Sequence, residues 1–270
     1  MNPYRIARLD TADVRAASTS PWELAESLLG VAPLLVERQP IRPLPEARSI
    51  ASSREHAPLH TDSQMLLGIP PAVQILVCVK QAPRGGESTL VDGDAVIARL
   101  DRDDPALARA AFDVDRRQRF YFGDVDGPTI ALRGGHLAWS LAPRAEPSDA
   151  LGAALVRSVT AHERIEIALA ANEALLASNH RMLHGRRAFE GDRELVRILV
   201  WLEHPLAPFA STLDPARARV AAPPLDADHA KRLRAVFALV RGVPPAKVAR
   251  DHAVPESTLY AWRDAMFAAH

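Results

Sequence analysis

Alternating apolar and polar positions predict strands through the middle of the chain. After Pro70 and Pro71, valine and isoleucine recur at every second position, which predicts a strand over residues 70–80. The Pro-Arg-Gly-Gly run at 83–86 ends that strand. A second alternation covers residues 165–169, and residues 193–202 are again extended, with apolar residues on both faces.

Longer amphipathic stretches predict helices between these strands. Ser20, Pro21 and Glu23 form a helix-start signal in which Ser20 would cap, so we expect a helix that continues to Leu29. Composition predicts further helices over residues 92–100, 105–112 and 150–162. Short strands without a β-α-β rhythm are typical of a jelly-roll sandwich or barrel with helices packed outside.

The character of the chain changes near its end. The proline-rich stretch 205–224 is predicted to be a linker, and the residues after it are almost wholly helical. We therefore expect a main domain over residues 1–222 and a small all-α segment over 223–270. That segment should hold three helices, the first from His229 to Val240.

Composition and charge narrow the class of protein. The 270 residues are 48% apolar and carry 33 basic and 33 acidic side chains, which argues against a general nucleic-acid or membrane-surface binder. The single cysteine, Cys78, rules out an intramolecular disulfide and a cysteine-built zinc site, so a cytoplasmic location is expected. We expect neither a signal peptide nor a membrane span, because no apolar run approaches the ~20 residues required.

His60 and Asp62 form a candidate metal-binding pair. They are two residues apart, and alternate residues of a strand project from the same face, so both side chains could converge on one ion. One more histidine would complete the two-histidine, one-carboxylate triad of non-heme iron(II) oxygenases. On its own, a His-x-Asp pair is more often a loop pair with ordinary hydrogen bonds.

Three further segments give this pair its context. Residues 58–62 (PLHTD) are followed by 70–78 (PPAVQILVC), by 85–93 (GGESTLVDG) and, far downstream, by 179–189 (NHRMLHGRRAF). In order and spacing these segments resemble the taurine dioxygenase-like family, and most of all its gamma-butyrobetaine hydroxylase and clavaminate synthase-like branch. The resemblance covers residues 54–204. It implies a double-stranded β-helix core, Fe(II) as cofactor and 2-oxoglutarate as co-substrate.

The resemblance also assigns residues. It implies that His60, Asp62 and His184 are the iron ligands, and that Arg193 pairs with the distal carboxylate of 2-oxoglutarate. Ser88 stands where the family usually has a threonine on the same carboxylate, and the neighbouring Thr89 leaves the register open. Related halogenases have a small residue in the place of Asp62, so oxidation of a C–H bond is expected rather than halogenation.

Arg197 is the second arginine of the extended stretch 193–202. A buried guanidinium needs an anion, and an arginine binds carboxylates through two parallel hydrogen bonds. At ~3.3 Å per residue Arg197 lies about 13 Å from Arg193, so the two should not share one carboxylate. The matching arginine of taurine dioxygenase contacts the anionic group of the substrate, which predicts the same role here. Pairing with a structural acid is the alternative.

Residues 120–122 (FYF) are a candidate part of the substrate pocket. Aromatic residues make up 5% of the chain, so three in a row are unusual, and Tyr121 points away from its neighbours in an extended segment. Gln64, Met65 and Trp139 are weaker candidates. The alternative for the aromatic run is ordinary core packing on a strand. No aromatic cage for a quaternary ammonium is evident.

The C-terminal segment resembles the helix-turn-helix of transposase-type DNA-binding modules. Residues 223–270 carry seven basic and five acidic side chains, however, and a net charge of +2 is small for binding phosphates. We therefore do not expect DNA as a partner. The segment is interpreted as an appendage that packs on the barrel, covers the site or mediates homo-oligomer formation.

Together these patterns predict an Fe(II)- and 2-oxoglutarate-dependent dioxygenase. It would hydroxylate an unactivated C–H bond of a small acidic substrate, an amino acid or derivative, free or bound to a carrier protein, and release succinate and CO2. Desaturation or epoxidation is one alternative. A metabolite-sensing DNA-binding regulator with a barrel that performs no turnover is the other.

Overall fold

A computed structural model describes residues 2–47, 49–65, 68–120, 123–224, 226–240 and 242–268. The chain divides into two compact units, residues 1–223 and 224–270. The first unit contains the sheets, and the second consists of helices.

The elements of the first unit follow a mixed order. Its strands are β1 (Tyr4–Arg8), β2 (Leu35–Ile41), β3 (Ala57–His60), β4 (Val73–Lys80), β5 (Arg84–Gly85), β6 (Ser88–Asp92), β7 (Arg116–Phe120), β8 (Gly123–Gly127), β9 (Ile130–Arg133), β10 (His136–Trp139), β11 (Ile165–Ile167), β12 (Glu173–Ser178), β13 (Met182–Arg186), β14 (Phe189–Glu190), β15 (Glu194–Trp201) and β16 (Val220–Ala222). Its helices are α1 (Thr11–Thr19), α2 (Pro21–Leu29), α3 (Gly93–Asp103), α4 (Pro105–Asp113) and α5 (Ala150–Thr160).

Two antiparallel sheets form the core of this unit. The major sheet has the order β1-β12-β4-β15-β2 and the minor sheet the order β11-β6-β13-β3. Helices α1 and α2 contact the major sheet, whereas α3 and α5 contact strands of the minor sheet. The predicted mainly β jelly-roll core with flanking helices is therefore confirmed.

Alternation along β4 and β15 explains how the major sheet is buried on both faces. Val73, Ile75 and Val77 of β4 pack with Val196 and Ile198 of β15 in one apolar cluster. Leu76, Cys78 and Leu195, on the opposite face, belong to a second cluster that reaches the minor sheet through Leu90 and Met182. The inner face of the major sheet thus faces the strands that carry the predicted metal ligands.

Most predicted elements appear at their predicted places. The strand over 70–80 is β4, the helices over 92–100, 105–112 and 150–162 are α3, α4 and α5, and the extended stretch 193–202 is β15. Helix α2 begins at Pro21, but the Ser20 side chain makes no capping hydrogen bond. Helix α1 was not predicted, although Asp10 and Asp13 form a capping box at its start.

The prediction of a linker over residues 205–224 is wrong. Phe209 lies in the apolar cluster on the outer side of the major sheet, and its carbonyl accepts a hydrogen bond from the buried Ser178 hydroxyl. Thr212 donates to the Asp94 carboxylate through both its backbone and its hydroxyl. Strand β16 pairs in parallel with β9. The prolines of this segment therefore shape an ordered strap across the first unit.

The second unit contains α6 (Ala227–Val240), α7 (Pro245–His252) and α8 (Glu256–Ala268). The predicted C-terminal helices are thus present. Ala235, Val248 and Leu259, one from each helix, form the centre of their shared core. Ala253, in the turn between α7 and α8, has a left-handed backbone with φ 51°. Among the described helices, none has both the length and the apolarity needed to cross a membrane.

Candidate metal and co-substrate site

The three predicted metal ligands lie together at one end of the minor sheet. His184 in β13 and His60 at the end of β3 are direct cross-strand partners, and their ring centroids are 4.5 Å apart. Asp62 follows two residues later, and ligand atoms of all three residues lie within 4.8 Å of one another. Within the described ranges, these residues are the one group of three or more histidine, cysteine or acidic side chains placed to hold a metal ion.

Strand alternation does not explain the position of Asp62, since β3 ends at His60. The main chain of Asp62 is instead held by the Asn179 side chain. The Asn179 amide oxygen accepts from Asp62 N at 2.8 Å, and its amide nitrogen donates to Asp62 O at 2.6 Å and to Pro71 O at 2.8 Å. A buried side chain from the β12–β13 turn thus fixes the loop that carries the carboxylate.

The charge states of His60 and Asp62 suit the binding of a divalent metal ion. Burial, together with the adjacent His184, lowers the pKa of His60 to about 4, so the imidazole is neutral at neutral pH. Its Nδ1 lies 2.8 Å from Pro58 O, so Nδ1 carries the proton and Nε2 is left as a free ligand atom. Burial alone would raise the pKa of Asp62, but Arg197 and the two histidines hold it well below its usual range. Asp62 is therefore a carboxylate.

Both carboxylate oxygens of Asp62 accept hydrogen bonds from the major sheet. Arg197 Nη1 donates to Oδ1 at 2.7 Å, and Gln74 Nε2 donates to Oδ2 at 2.6 Å. The same Gln74 nitrogen is 3.1 Å from His184 Nε2. Arg197 also donates through Nη2 to Gln39 Oε1. The acid that pairs with Arg197 in this structure is therefore the predicted metal ligand itself, which corresponds to the structural alternative raised above.

A cleft of about 100 Å³ joins this cluster to Arg193. His60, His184, Gln74 and Arg197 line one part of it, and Ser88, Arg186 and Arg193 line another. Arg193 is 5% exposed, and its Nε is buried without a hydrogen-bond partner. Burial, with Arg186 nearby, lowers the pKa of Arg193 to about 10, so the guanidinium is still charged at neutral pH. Its charge has no carboxylate partner among the described residues.

Ser88 and Thr89 are separated by the alternation of β6. Ser88 lines the cleft together with Arg193, whereas Thr89 is absent from its lining and pairs with Gly185 in the adjacent strand. Both residues are buried. The structure thus places the Ser88 hydroxyl, rather than the Thr89 hydroxyl, on the side of the arginine.

The remaining predicted substrate residues lie in different surroundings. Gln64 is half-buried, and its Oε1 is buried without a hydrogen-bond partner among the described residues. Met65 packs against the cluster of Phe120, Val125 and Ala142. Trp139 is a core residue of the minor-sheet side. The prediction for Tyr121 falls outside the described residues.

The sequence analysis missed Gln74, Asn179 and Arg186. Gln74 is the polar interruption in the apolar run of β4, and Asn179 belongs to the downstream segment 179–189, called the distal motif below, so both were visible without an assigned role. Arg186, in the same motif, donates to the carbonyls of Ile50, Ser53 and Glu55, and it closes that side of the cleft.

These residues fit an iron ion with a bound keto acid. Two imidazoles and a carboxylate are the donor set of non-heme iron(II) oxygenases, and they leave coordination positions open. A buried, unpartnered guanidinium in the same cleft is suited to the far carboxylate of a dicarboxylic acid.

Comparison with known proteins gives a family match and two curated relatives. Residues 42–138 match the family model described as taurine catabolism dioxygenase TauD, TfdA family. Gamma-butyrobetaine dioxygenase of Homo sapiens is 24% identical over 176 residues, which cover 57% of this chain and 45% of that protein. The Pongo abelii protein gives the same values. The chain thus spans less than half the length of these curated relatives.

Solved structures share the fold. The non-heme iron oxygenase OrfP, in complex with Fe and alpha-ketoglutaric acid, aligns with a TM-score of 0.53 at 16% identity, covering 74% of this chain and 75% of that one. An asparagine oxygenase in complex with Fe(II), 2S,3S-3-hydroxyasparagine and succinate aligns with a TM-score of 0.50 at 18% identity, covering 61% and 56%.

The segment matched by the family model contains His60, Asp62 and Ser88 but ends before His184 and Arg193. The roles of the two later residues therefore depend on the distal motif and on their position in the cleft. Residues 42–138 are thus similar to the TauD, TfdA family of dioxygenases, as the motifs indicated, and OrfP shares the fold.

Proposed function

We propose that this chain is an Fe(II)- and 2-oxoglutarate-dependent dioxygenase that hydroxylates an unactivated C–H bond of a small acidic substrate. The observation that carries the proposal is the shared cleft. One cavity is lined by two of the three clustered ligands, His60 and His184, and by Arg193, a buried cation without an anion. A metal site alone would not require that cation.

Each residue then has a defined task. His60, Asp62 and His184 would hold the iron, and Arg193 with Ser88 would hold the distal carboxylate of 2-oxoglutarate. Iron(II) with this keto acid supplies dioxygen activation, and succinate and CO2 are released. The chain orients both groups and keeps the target C–H bond beside the metal. Gln74 and Arg197 keep the Asp62 carboxylate in place.

The prime substrate is proposed to be an amino acid or derivative whose acidic group contacts Arg197. Two observations support this role: Arg197 lines the cleft, and its Nε is buried without a hydrogen-bond partner among the described residues. Substitution Arg197→Leu should weaken binding of an acidic substrate. Unchanged substrate affinity in this variant would remove Arg197 from the substrate site.

The partners proposed for this reaction are a small molecule and dioxygen. A pull-down tests for a carrier protein that presents the substrate. The molar mass in solution tests for a homo-oligomer formed through the C-terminal helices. Product mass separates desaturation, which removes two hydrogen atoms, from hydroxylation and epoxidation, which both add one oxygen atom. NMR of the product then separates the alcohol from the epoxide.

Anaerobic optical titration tests the site without any knowledge of the prime substrate. Iron(II) chelated by 2-oxoglutarate absorbs visible light, so the Fe(II)-loaded protein should develop this absorption when 2-oxoglutarate is added. His184→Ala should abolish it. A wild-type protein that binds neither the metal nor the keto acid would contradict the proposal.

A further inference from the structure

Two neighbouring rows of residues cross the inner face of the major sheet, and each row contains two polar side chains and one leucine. Register places Gln74 of β4 opposite Leu199 of β15, and Leu199 opposite Glu37 of β2. The next row contains Leu76, Arg197 and Gln39. Residues paired across antiparallel strands lie on the same face, so each row runs from the centre of the sheet to its edge strand β2.

Contacts show which way these rows face. Gln74 reaches Asp62 and His184, and Arg197 contacts both Asp62 and Gln39. Glu37 lies two residues before Gln39 on the same strand and therefore on the same inner face. Neighbouring strands are about 4.8 Å apart, which puts the Glu37 backbone about 10 Å from that of Gln74. Glu37 thus flanks the metal cluster.

Glu37 has no cation of its own. It is half-buried, and its side chain makes no hydrogen bond or ion pair among the described residues. Arg197 is close enough to affect it electrostatically but forms no ion pair with it, because its terminal nitrogens donate to Asp62 and Gln39. The Arg197 Nε, which has no partner among the described residues, is left for the acidic group of the substrate. Burial raises the pKa of Glu37, and Arg197 opposes that rise. A partly desolvated carboxylate in this position is stabilised when a cation approaches it.

The position of Glu37 separates it from the co-substrate. Along β15, Arg193 lies four residues before Arg197, whereas Leu199, the partner of Glu37, lies two residues after it. Arg193 and Leu199 are thus about 20 Å apart along the strand, on opposite sides of the level of Asp62. A ligand held by Glu37 would therefore not be the acid held by Arg193.

We propose that Glu37 binds a positively charged group of the prime substrate, with Gln39 beside it. This inference rests on the proposed function and makes its substrate class narrower. The substrate is a zwitterion: its acidic group goes to Arg197 and its ammonium group to Glu37. Amino acids with a free amine fit this site, and N-acylated amino acids do not.

The test compares charged and neutral forms of the same molecules. The twenty proteinogenic L-amino acids are each paired with the N-acetyl derivative that keeps the carboxylate and lacks the positive charge. Binding is followed as the change in visible absorption of the anaerobic Fe(II)–2-oxoglutarate protein, and substrate-stimulated succinate formation is measured in parallel. Variants are Glu37→Gln, which keeps the shape of the side chain, and Glu194→Gln, an exposed control at the start of β15.

The wild-type protein should bind at least one free amine about 10–100-fold more tightly than its N-acetyl partner, as expected for a charge-assisted hydrogen bond. Glu37→Gln should lose most of that preference through weaker binding of the amine, while Glu194→Gln keeps it. The inference is overturned if no free amine is preferred, or if Glu37→Gln keeps the preference. If the inference fails but the wild-type protein still shows the visible absorption of bound Fe(II) and 2-oxoglutarate, the proposed function is retained. If the wild-type protein lacks this absorption, the proposed function is contradicted.

Discussion

Asn179 holds the main chain of Asp62 from both sides. Its amide oxygen accepts from Asp62 N at 2.8 Å and its amide nitrogen donates to Asp62 O at 2.6 Å, across 117 positions of sequence. The distal motif thus supplies the candidate ligand His184, and it also supplies Asn179, which positions the candidate ligand Asp62.

Asn179→Leu should weaken metal binding about 10–100-fold, because supporting residues of this kind tune affinity by that amount. It also leaves the buried backbone groups of Asp62 without partners, so the free energy of unfolding should fall by about 2–4 kcal/mol. Titration with Mn(II) and urea unfolding measure the two effects. Asn172→Gly is the control, since Asn172 sits in a turn with φ 67° that glycine adopts freely. A metal affinity within about threefold of wild type would contradict the role of Asn179.

Arg193→Leu should raise the dissociation constant for 2-oxoglutarate by about 100-fold or more, because it removes the arginine of the cleft whose side chain makes no hydrogen bond to the described residues. Metal affinity should stay unchanged. Arg193→Lys should give an intermediate value, since lysine keeps the charge but not the paired donors. Arg187→Leu serves as a matched control, because Arg187 is exposed and pairs with Glu166. Equal 2-oxoglutarate affinity in Arg193→Leu and Arg187→Leu would exclude this assignment.

Arg197→Leu should destabilise the metal-free protein by about 3–5 kcal/mol, as expected when one partner of a buried ion pair is removed. A bound cation would then replace part of the lost charge beside Asp62. Thermal unfolding with and without Mn(II) should therefore show a larger stabilisation by the metal in this variant than in wild type. Arg38→Leu, on the exposed side of β2, provides the comparison. A metal-induced shift no larger than in wild type would argue against the coupling.

The buried pair His136 and His180 predicts how stability depends on pH. Their rings meet edge to face at 4.8 Å; burial lowers the pKa of His136 to about 4, and burial with the adjacent His136 lowers that of His180 to about 3. Both values lie below the usual 6.5, so the unfolded chain takes up protons first. Stability should therefore be lost as the pH falls from about 6.5 towards 4, by about 1.4 kcal/mol per pH unit for each histidine.

Urea unfolding of chelator-treated protein between pH 7.5 and 4.5 measures this slope. His180→Gln removes one of the two groups and keeps a donor for Pro70 O, so the slope should fall by about the share of one histidine. An identical slope in both proteins would mean that other groups control the acid sensitivity.

The sequence predicted those elements in which buried apolar residues recur at a regular spacing along the chain. In β4 the alternation of Val73, Ile75 and Val77 reflects one face packed beneath helices, and so the strand was visible. The stretch 205–224 carries no such period. Its order comes from tertiary contacts such as Ser178 with Phe209 and Asp94 with Thr212, which local composition does not encode.

The site shows the same division. His60, Asp62 and His184 were found because their residue types and spacing match a known ligand pattern. Gln74 and Glu37 were visible as polar residues, but their direction depends on the register of three strands that are distant in sequence. For Arg197, the sequence predicted that a buried guanidinium needs an anion. It did not predict that this anion is Asp62.

Succinate formation is the most direct test of the central claim. Protein loaded anaerobically with Fe(II) is given 2-oxoglutarate, dioxygen and a panel of amino acids and acyl-amino acids, with His184→Ala as control. We expect succinate production that is stimulated by at least one panel member and lost in the variant. Binding of Fe(II) and 2-oxoglutarate without stimulated succinate from any member, or equal succinate from His184→Ala, would contradict an oxygenase acting on small amino-acid substrates at this site.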